Sequence, residues 1–435
     1  MIRKIVLILL FLLPLHAFIV TVLKCKFAID TDILRFWKEI ILILLLMTFF
    51  TQYKKYDWSL KKLYHKNTLL GLTTAFIVCS ALYLYFPFFE LKAASVLFRY
   101  DVFFLFALLI GLYLPAEEDI RFYMKMVFLS TFILIVFLPW YLFDIKSTVL
   151  FGYSNEASTY TANACLSFAQ NVEGYARFQA TFGGPIRMSV YLTLVGSLFM
   201  GYILSATRFT RTQKYTFIAI FTLILTSIFF SYSKTSILAI FAIALFSFLT
   251  FRYIYRRVIT RKMYIQAGIA LSLPIILVII LKWDMFLHLS VLNRLENLGR
   301  SAEMFFYNPM YGLGIAGPAS QIGNSIESAG TFIATSNVLT IHRFLPENWY
   351  VQILLEQIIG LSIFVSLIIF IGYRLVSRIK QHRDFVSVVA TAYFSLCFMA
   401  LFTHAFEEAA SSYMLFFFIG ILLHEGMMME RHSKK

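Results

Sequence analysis

The chain has 435 residues, 60% hydrophobic and 14% charged, with a net charge of +15. Soluble domains carry about a quarter charged residues, so the balance argues against an ordinary soluble domain and for lipid as the main solvent. The Lys and Arg sit mostly in short clusters between apolar runs, which reads as a topology signal rather than a nucleic-acid surface.

In chain order, Met1 to Leu23 resembles a signal peptide, with Arg3 and Lys4 ahead of an apolar stretch. Lys24, Cys25 and Lys26 follow instead of a small-residue cleavage site, so the segment reads as a retained first helix. Runs long enough to cross a bilayer as helices recur near residues 5–23, 36–53, 67–86, 96–115, 122–143, 185–206, 215–233, 235–252, 263–283, 348–372, 385–406 and 412–428. The expected fold is all-α and polytopic, with about 12 transmembrane helices. The basic clusters at 54–66, 208–214, 252–262 and 374–383 then fall on the cytoplasmic side. Residues 1–435 form a single integral membrane domain in this reading. Two long loops, 144–184 and 284–347, face the opposite side, and function tends to sit on such loops. No internal repeat, low-complexity tract or nucleotide-binding glycine loop is present. Cys25, Cys79, Cys165 and Cys397 match no metal or redox spacing, and their positions leave any bridge open.

The first loop carries Arg177 and leads through Gly183, Gly184 and Pro185 into Arg187. Arg187 and Lys234 lie just inside the ends of apolar runs. There a cation faces a cavity or an anion, or snorkels to the interface. The second loop opens with Val291, Leu295, Leu298, Ala302 and Phe305 at helical spacing. Arg294, on the same segment, has no acid three or four residues away. Arg300 has Glu296 and Glu303 at ladder spacing, which suffices for a local ion pair. A turn rich in glycine and proline follows, from Tyr311 to Pro318. His342, Glu347 and Asn348 come at the next helix start. Glu347 and Asn348 read either as caps or as a base with its support, and His342 as a second candidate base. Glu356 lies deeper and is expected to face the interior. His404, Glu407 and Glu408 can pair with the arginines or among themselves.

Four stretches together resemble the O-antigen polymerase (Wzy) and O-antigen ligase superfamily of bacterial envelope polysaccharide proteins. They are Arg177 to Arg187, Ser231 to Ser236, Arg294 with Asn308 to Gly314, and Glu347 to Gly360. Lys234 stands where the family usually has Arg. Glu347 stands where ligases carry His, which favours the polymerase. The resemblance implies a GT-C-like fold in the bacterial inner membrane, multi-pass, with both long loops and the active site facing the periplasm. It implies inverting, metal-independent glycosyl transfer between undecaprenyl-diphosphate-linked repeat units, without a cofactor. Glu347, Asn348 and His342 would be the catalytic residues. Arg177, Arg187, Lys234, Arg294 and Arg300 would bind diphosphate. The implied partners are the undecaprenyl-diphosphate-linked oligosaccharide and membrane lipid, with a chain-length regulator as a further candidate and no nucleic acid. The alternatives are an O-antigen ligase acting on lipid A-core and, from another class, a polysaccharide flippase.

Overall fold

The computed structural model describes residues 2–29, 34–55, 68–85, 91–113, 118–143, 151–154, 166–172, 175–205, 211–249, 290–307, 348–379 and 385–432. These are helical apart from one hairpin and a few turns. The chain opens with α1 (Ile2–Leu12) and α2 (His16–Thr21), which runs on as a π-helical turn to Lys26. Pro14 lies between them, and without a backbone N–H it cannot continue the ladder. The bend there is 73°. Next come α3 (Trp37–Lys55), α4 (Thr68–Leu82), α5 (Leu91–Tyr113), α6 (Glu118–Ile135) and α7 (Leu138–Leu142). The hairpin follows, β1 (Ala169–Val172) antiparallel to β2 (Tyr175–Phe178), with Gln170 opposite Arg177.

The second half begins with α8 (Pro185–Ser205), α9 (Arg211–Phe230) and α10 (Lys234–Leu249). Pro185 stands at the first helical position, where its fixed φ suits the helix and its missing N–H costs nothing. Then come α11 (Ser290–Tyr307), α12 (Trp349–Glu356), α13 (Ile358–Ile379), α14 (Phe385–Met399) and α15 (Ala409–His432). Cys25 is disulfide-bonded, while Cys79 and Cys397 are free thiols.

The core is built around α5 and α15, which share the most extensive helix contact. Around them α8 packs on α14, α9 and α10, while α13 packs on α4 and α14. Trp349 is fully buried at the centre, 4.6 Å from the Phe364 ring, 4.7 Å from Phe406 and 6.4 Å from Phe104. These rings meet tilted or edge-on, the arrangement their quadrupoles favour.

The expectation of about twelve spans is not met among the described residues; the expected span at 263–283 lies outside them. Among the described residues, two helical stretches are long and apolar enough to cross a membrane, Phe122–Leu142 and Ile358–Ile379. The bent pair formed by α1 and α2 makes a third if counted as one span. Thr68–Leu82, Pro185–Met200, Ala219–Phe230, Phe385–Met399 and Ala409–Leu423 are apolar but shorter. The sequence misleads here because a helix that is apolar all round suits a protein core as well as lipid. In α14 the residues Val386 to Tyr393 are all buried. Their apolarity is used against neighbouring helices. The multi-pass inner-membrane placement, and with it the periplasmic orientation of residues 144–184 and 284–347, loses its basis.

Candidate functional site

Three of the cations singled out in the sequence gather where β2, α8 and α10 begin or end. Arg177 is on β2, and its Nε donates to the Ser231 carbonyl at 2.7 Å. That bond ties the hairpin to the turn between α9 and α10. Lys234 opens α10 three residues later. Arg187 lies in the first turn of α8, its guanidinium over Gly183. The two helix starts are fastened together by Ser236, whose Oγ donates to Ser189 Oγ at 2.8 Å. Ser233 caps α10, accepting from the Ser236 N–H at 3.4 Å. Both helices thus present the positive ends of their dipoles at one place.

The two turns leading into these helices are conformationally unusual. Ala180 has φ +48° and Tyr232 has φ +51°. Left-handed backbone is uncommon away from glycine and costs on the order of 1–3 kcal/mol per residue. The surroundings are polar and buried: Thr181, Ser189, Ser231, Ser233, Thr235 and Ser236. Thr181 Oγ1, Gln170 Oε1 and Gln179 Oε1 are buried with no hydrogen-bond partner among the described residues. Gln179 Nε2 donates to the Ser167 carbonyl.

An acidic turn adjoins this cationic end. Glu408 Oε1 is 3.0 Å from Arg187 Nε, and the Glu408 side chain is 17% exposed against 41% for Arg187. Burial pushes the Glu408 carboxyl above its usual range, and the Arg187 charge opposes that push. Its neighbour Glu407 takes the local option instead, with His404 Nδ1 3.2 Å from Glu407 Oε1. On the far side lie Asp101 and Glu356, both fully buried. Each is held well above the ordinary carboxyl range, first by burial and then by other acids. For Asp101 that acid is Glu407; for Glu356 it is Asp101, then Glu407. Gln352 Nε2 donates to Glu356 Oε1 at 3.1 Å. Glu356 meets the expectation that it faces the interior. Asp101 is not singled out by the sequence reading, although a carboxylate two residues from Arg99 within an apolar run is a signal for a buried charge.

Asn348 is the N-cap of α12. Its Oδ1 accepts from the N–H groups of Tyr350 at 2.9 Å and Val351 at 3.2 Å. The Trp349 N–H bonds across to the Ala400 carbonyl at 3.0 Å, anchoring α12 to the end of α14. Asn348→Ala is expected to lower stability by about 1 kcal/mol, the usual cost of a lost cap. An unfolding midpoint equal to that of the parent chain would count against the capping role. Arg294 and Arg300 lie on α11, but their side chains fall outside the described ones. The apolar stripe of α11 is not buried along its length, since Leu298 is 55% exposed. His342, Glu347 and the glycine-rich turn from Tyr311 to Pro318 lie outside the described residues.

No protein-family model matches the chain. No curated protein matches it either. The resemblance to O-antigen polymerases and ligases is therefore not upheld, because neither a family match nor the twelve-span architecture supports it. The matched stretches have a simpler reason to look familiar. Pro185 at a first helical position, Ser233 at a cap and Asn348 at a cap are general grammar of helix starts. With the family go the polymerase, ligase and flippase readings, the inverting glycosyltransferase activity, the GT-C architecture, and undecaprenyl-linked glycan and membrane lipid as partners. Among the described residues no group of three His, Cys, Asp or Glu is placed to hold a metal ion.

Proposed function

We propose that the chain binds an anion of the phosphate class, a phosphate or diphosphate group, where α8 and α10 begin. Arg177, Lys234 and Arg187 supply the charge. The observation that carries this reading is the pair of left-handed residues, Ala180 and Tyr232, in the two turns that bring these cations together. Left-handed backbone of this kind persists where the surrounding structure over-determines it, and it clusters at active sites, ligand clamps and switches. Two paired helix starts favour an anion, and arginine offers a fork suited to phosphate oxygens. The buried hydroxyl of Thr181, without a hydrogen-bond partner among the described residues, supplies a further donor beside the charges.

Titration of the purified full chain with inorganic diphosphate tests the proposal. The double variant Arg177→Ala with Lys234→Ala is expected to bind at least about tenfold more weakly, since a hydrogen bond to a charged group is worth about 1.5–3 kcal/mol. Circular dichroism establishes that the variant keeps its helices. Equal affinity in a folded variant, or no binding by the parent chain, would overturn the assignment.

A further inference from the structure

The Arg187–Glu408 pair sets a second property of this site, and the inference rests on the anion-binding reading above. We propose that Glu408 is a proton-operated gate on Arg187: ionised, it holds the guanidinium away from the anion, and protonated, it releases it. The geometry is a 3.0 Å ion pair between a largely buried carboxylate and a cation at the rim of the site. Glu408 and an arriving anion compete for the same guanidinium. Taking Arg187 from Glu408 leaves a carboxylate among buried groups without its nearest counter-charge, a state that favours taking up a proton. Anion and proton therefore bind together.

The charges around Glu408 give the gate its bias. Arg187 faces it from α8 and Lys38 from α3, and both stabilise the ionised form. Glu407 opposes ionisation from its own turn, while His404 favours it. Behind Glu407, α5 contributes Asp101, whose interaction with Glu407 places a third acid in the same network. Also from α5, Arg99 is engaged 3.6 Å from Glu39. Lys38 is itself paired with Glu39 at 3.3 Å, while Arg187 Nε lies 3.0 Å from Glu408 Oε1. Glu408 thus sits between cations and buried acids, and Arg187 is the largest of the charges that favour its ionised form, so a change at Arg187 shifts its protonation.

Diphosphate affinity measured across pH in the parent chain and in Glu408→Gln tests this directly. The titration of diphosphate itself is common to both proteins, so the ratio of their affinities isolates the gate. Glu408→Gln is expected to bind about tenfold more tightly at the alkaline end, within the usual range of coupling between two bound species. The two should converge as pH falls and Glu408 protonates in the parent. Arg187→Ala, with and without Glu408→Gln, should remove the difference. Calorimetry in buffers of different ionisation enthalpy should show proton uptake on binding by the parent and less by Glu408→Gln. A constant affinity ratio across pH, in chains that do bind diphosphate, overturns the gate while leaving the site. No diphosphate binding by any of these proteins overturns the site and the gate together.

Discussion

Gly420→Ala is expected to destabilise the fold by about 3 kcal/mol or more, the upper part of the range for overpacked cores. Gly420 on α15 and Gly111 on α5 lie back to back where these helices cross. A Cβ at Gly420 would overlap the Leu108 carbonyl oxygen and approach Gly111 Cα to 2.8 Å. One at Gly111 would overlap the Phe417 carbonyl oxygen and stand 3.0 Å from Gly420 Cα. The obstacles are backbone atoms, which cannot rotate aside as a side chain can. The two helices must separate, and they carry the most extensive contact in the fold. Separation would also disturb the acids, because Asp101 lies on α5 and Glu407 just precedes α15. Gly71 on α4 is the control, since a Cβ there meets nothing within 4 Å. Gly71→Ala should gain up to about 1 kcal/mol from helix propensity. Thermal or denaturant midpoints of the two variants moving together would show that the close crossing does not matter.

The same crossing marks the limit of what the sequence reveals. Helices are legible from apolar content, and two of their starts are legible from Pro185 and Asn348. Nothing at Gly111 or Gly420 says that they face each other, because that depends on tertiary contact between segments 309 residues apart. The number of spans is not legible either, since buried and lipid-facing apolar residues look alike in a sequence. The hairpin falls in a stretch expected to be a long loop. Ala169–Val172 and Tyr175–Phe178 are short strands with little alternation to announce them. The cationic site is partly legible: of the five cations that the sequence singles out, Arg177, Arg187 and Lys234 are connected by the hairpin and the Ser189–Ser236 bond, while the side chains of Arg294 and Arg300 lie outside the described ones. Its counterpart is half legible. Glu356 is expected inside, while its neighbour Asp101 goes unnoticed, because an acid's partner in a core can come from any part of the chain.

That acid pair leads to the second large effect, an inverted dependence of stability on pH. Asp101 and Glu356 are held above their ordinary range first by burial and then by acid charge, that of Glu407 on Asp101 and that of Asp101 on Glu356. Ordinary carboxyls release their protons near pH 4. Above that point the unfolded chain has lost protons that the folded chain still keeps. Folding then takes up protons, and stability falls as pH rises, by roughly 1.4 kcal/mol per pH unit for each proton retained. The loss ends only above the folded pKa of each group. Below pH 4 both states are protonated and the penalty disappears. The hydrogen-bonding pattern points the same way. Among the described residues both Asp101 oxygens and Glu356 Oε2 are buried without a hydrogen bond of good geometry, although the two carboxyls are close enough to share one. Ionised carboxylates accept but cannot donate, whereas a protonated one supplies the missing donor. Asp101→Asn supplies an N–H permanently and carries no charge to expel. It should therefore lower the slope of stability against pH and exceed the parent chain in stability at pH 7–8. Asp101→Ala should not do so, since it leaves a cavity facing Glu356. Unfolding midpoints at several pH values between 5 and 8 decide the matter. Parallel profiles for the parent and Asp101→Asn would mean that the two acids do not hold their protons in the folded chain, and that the buried acids are compensated by cations alone.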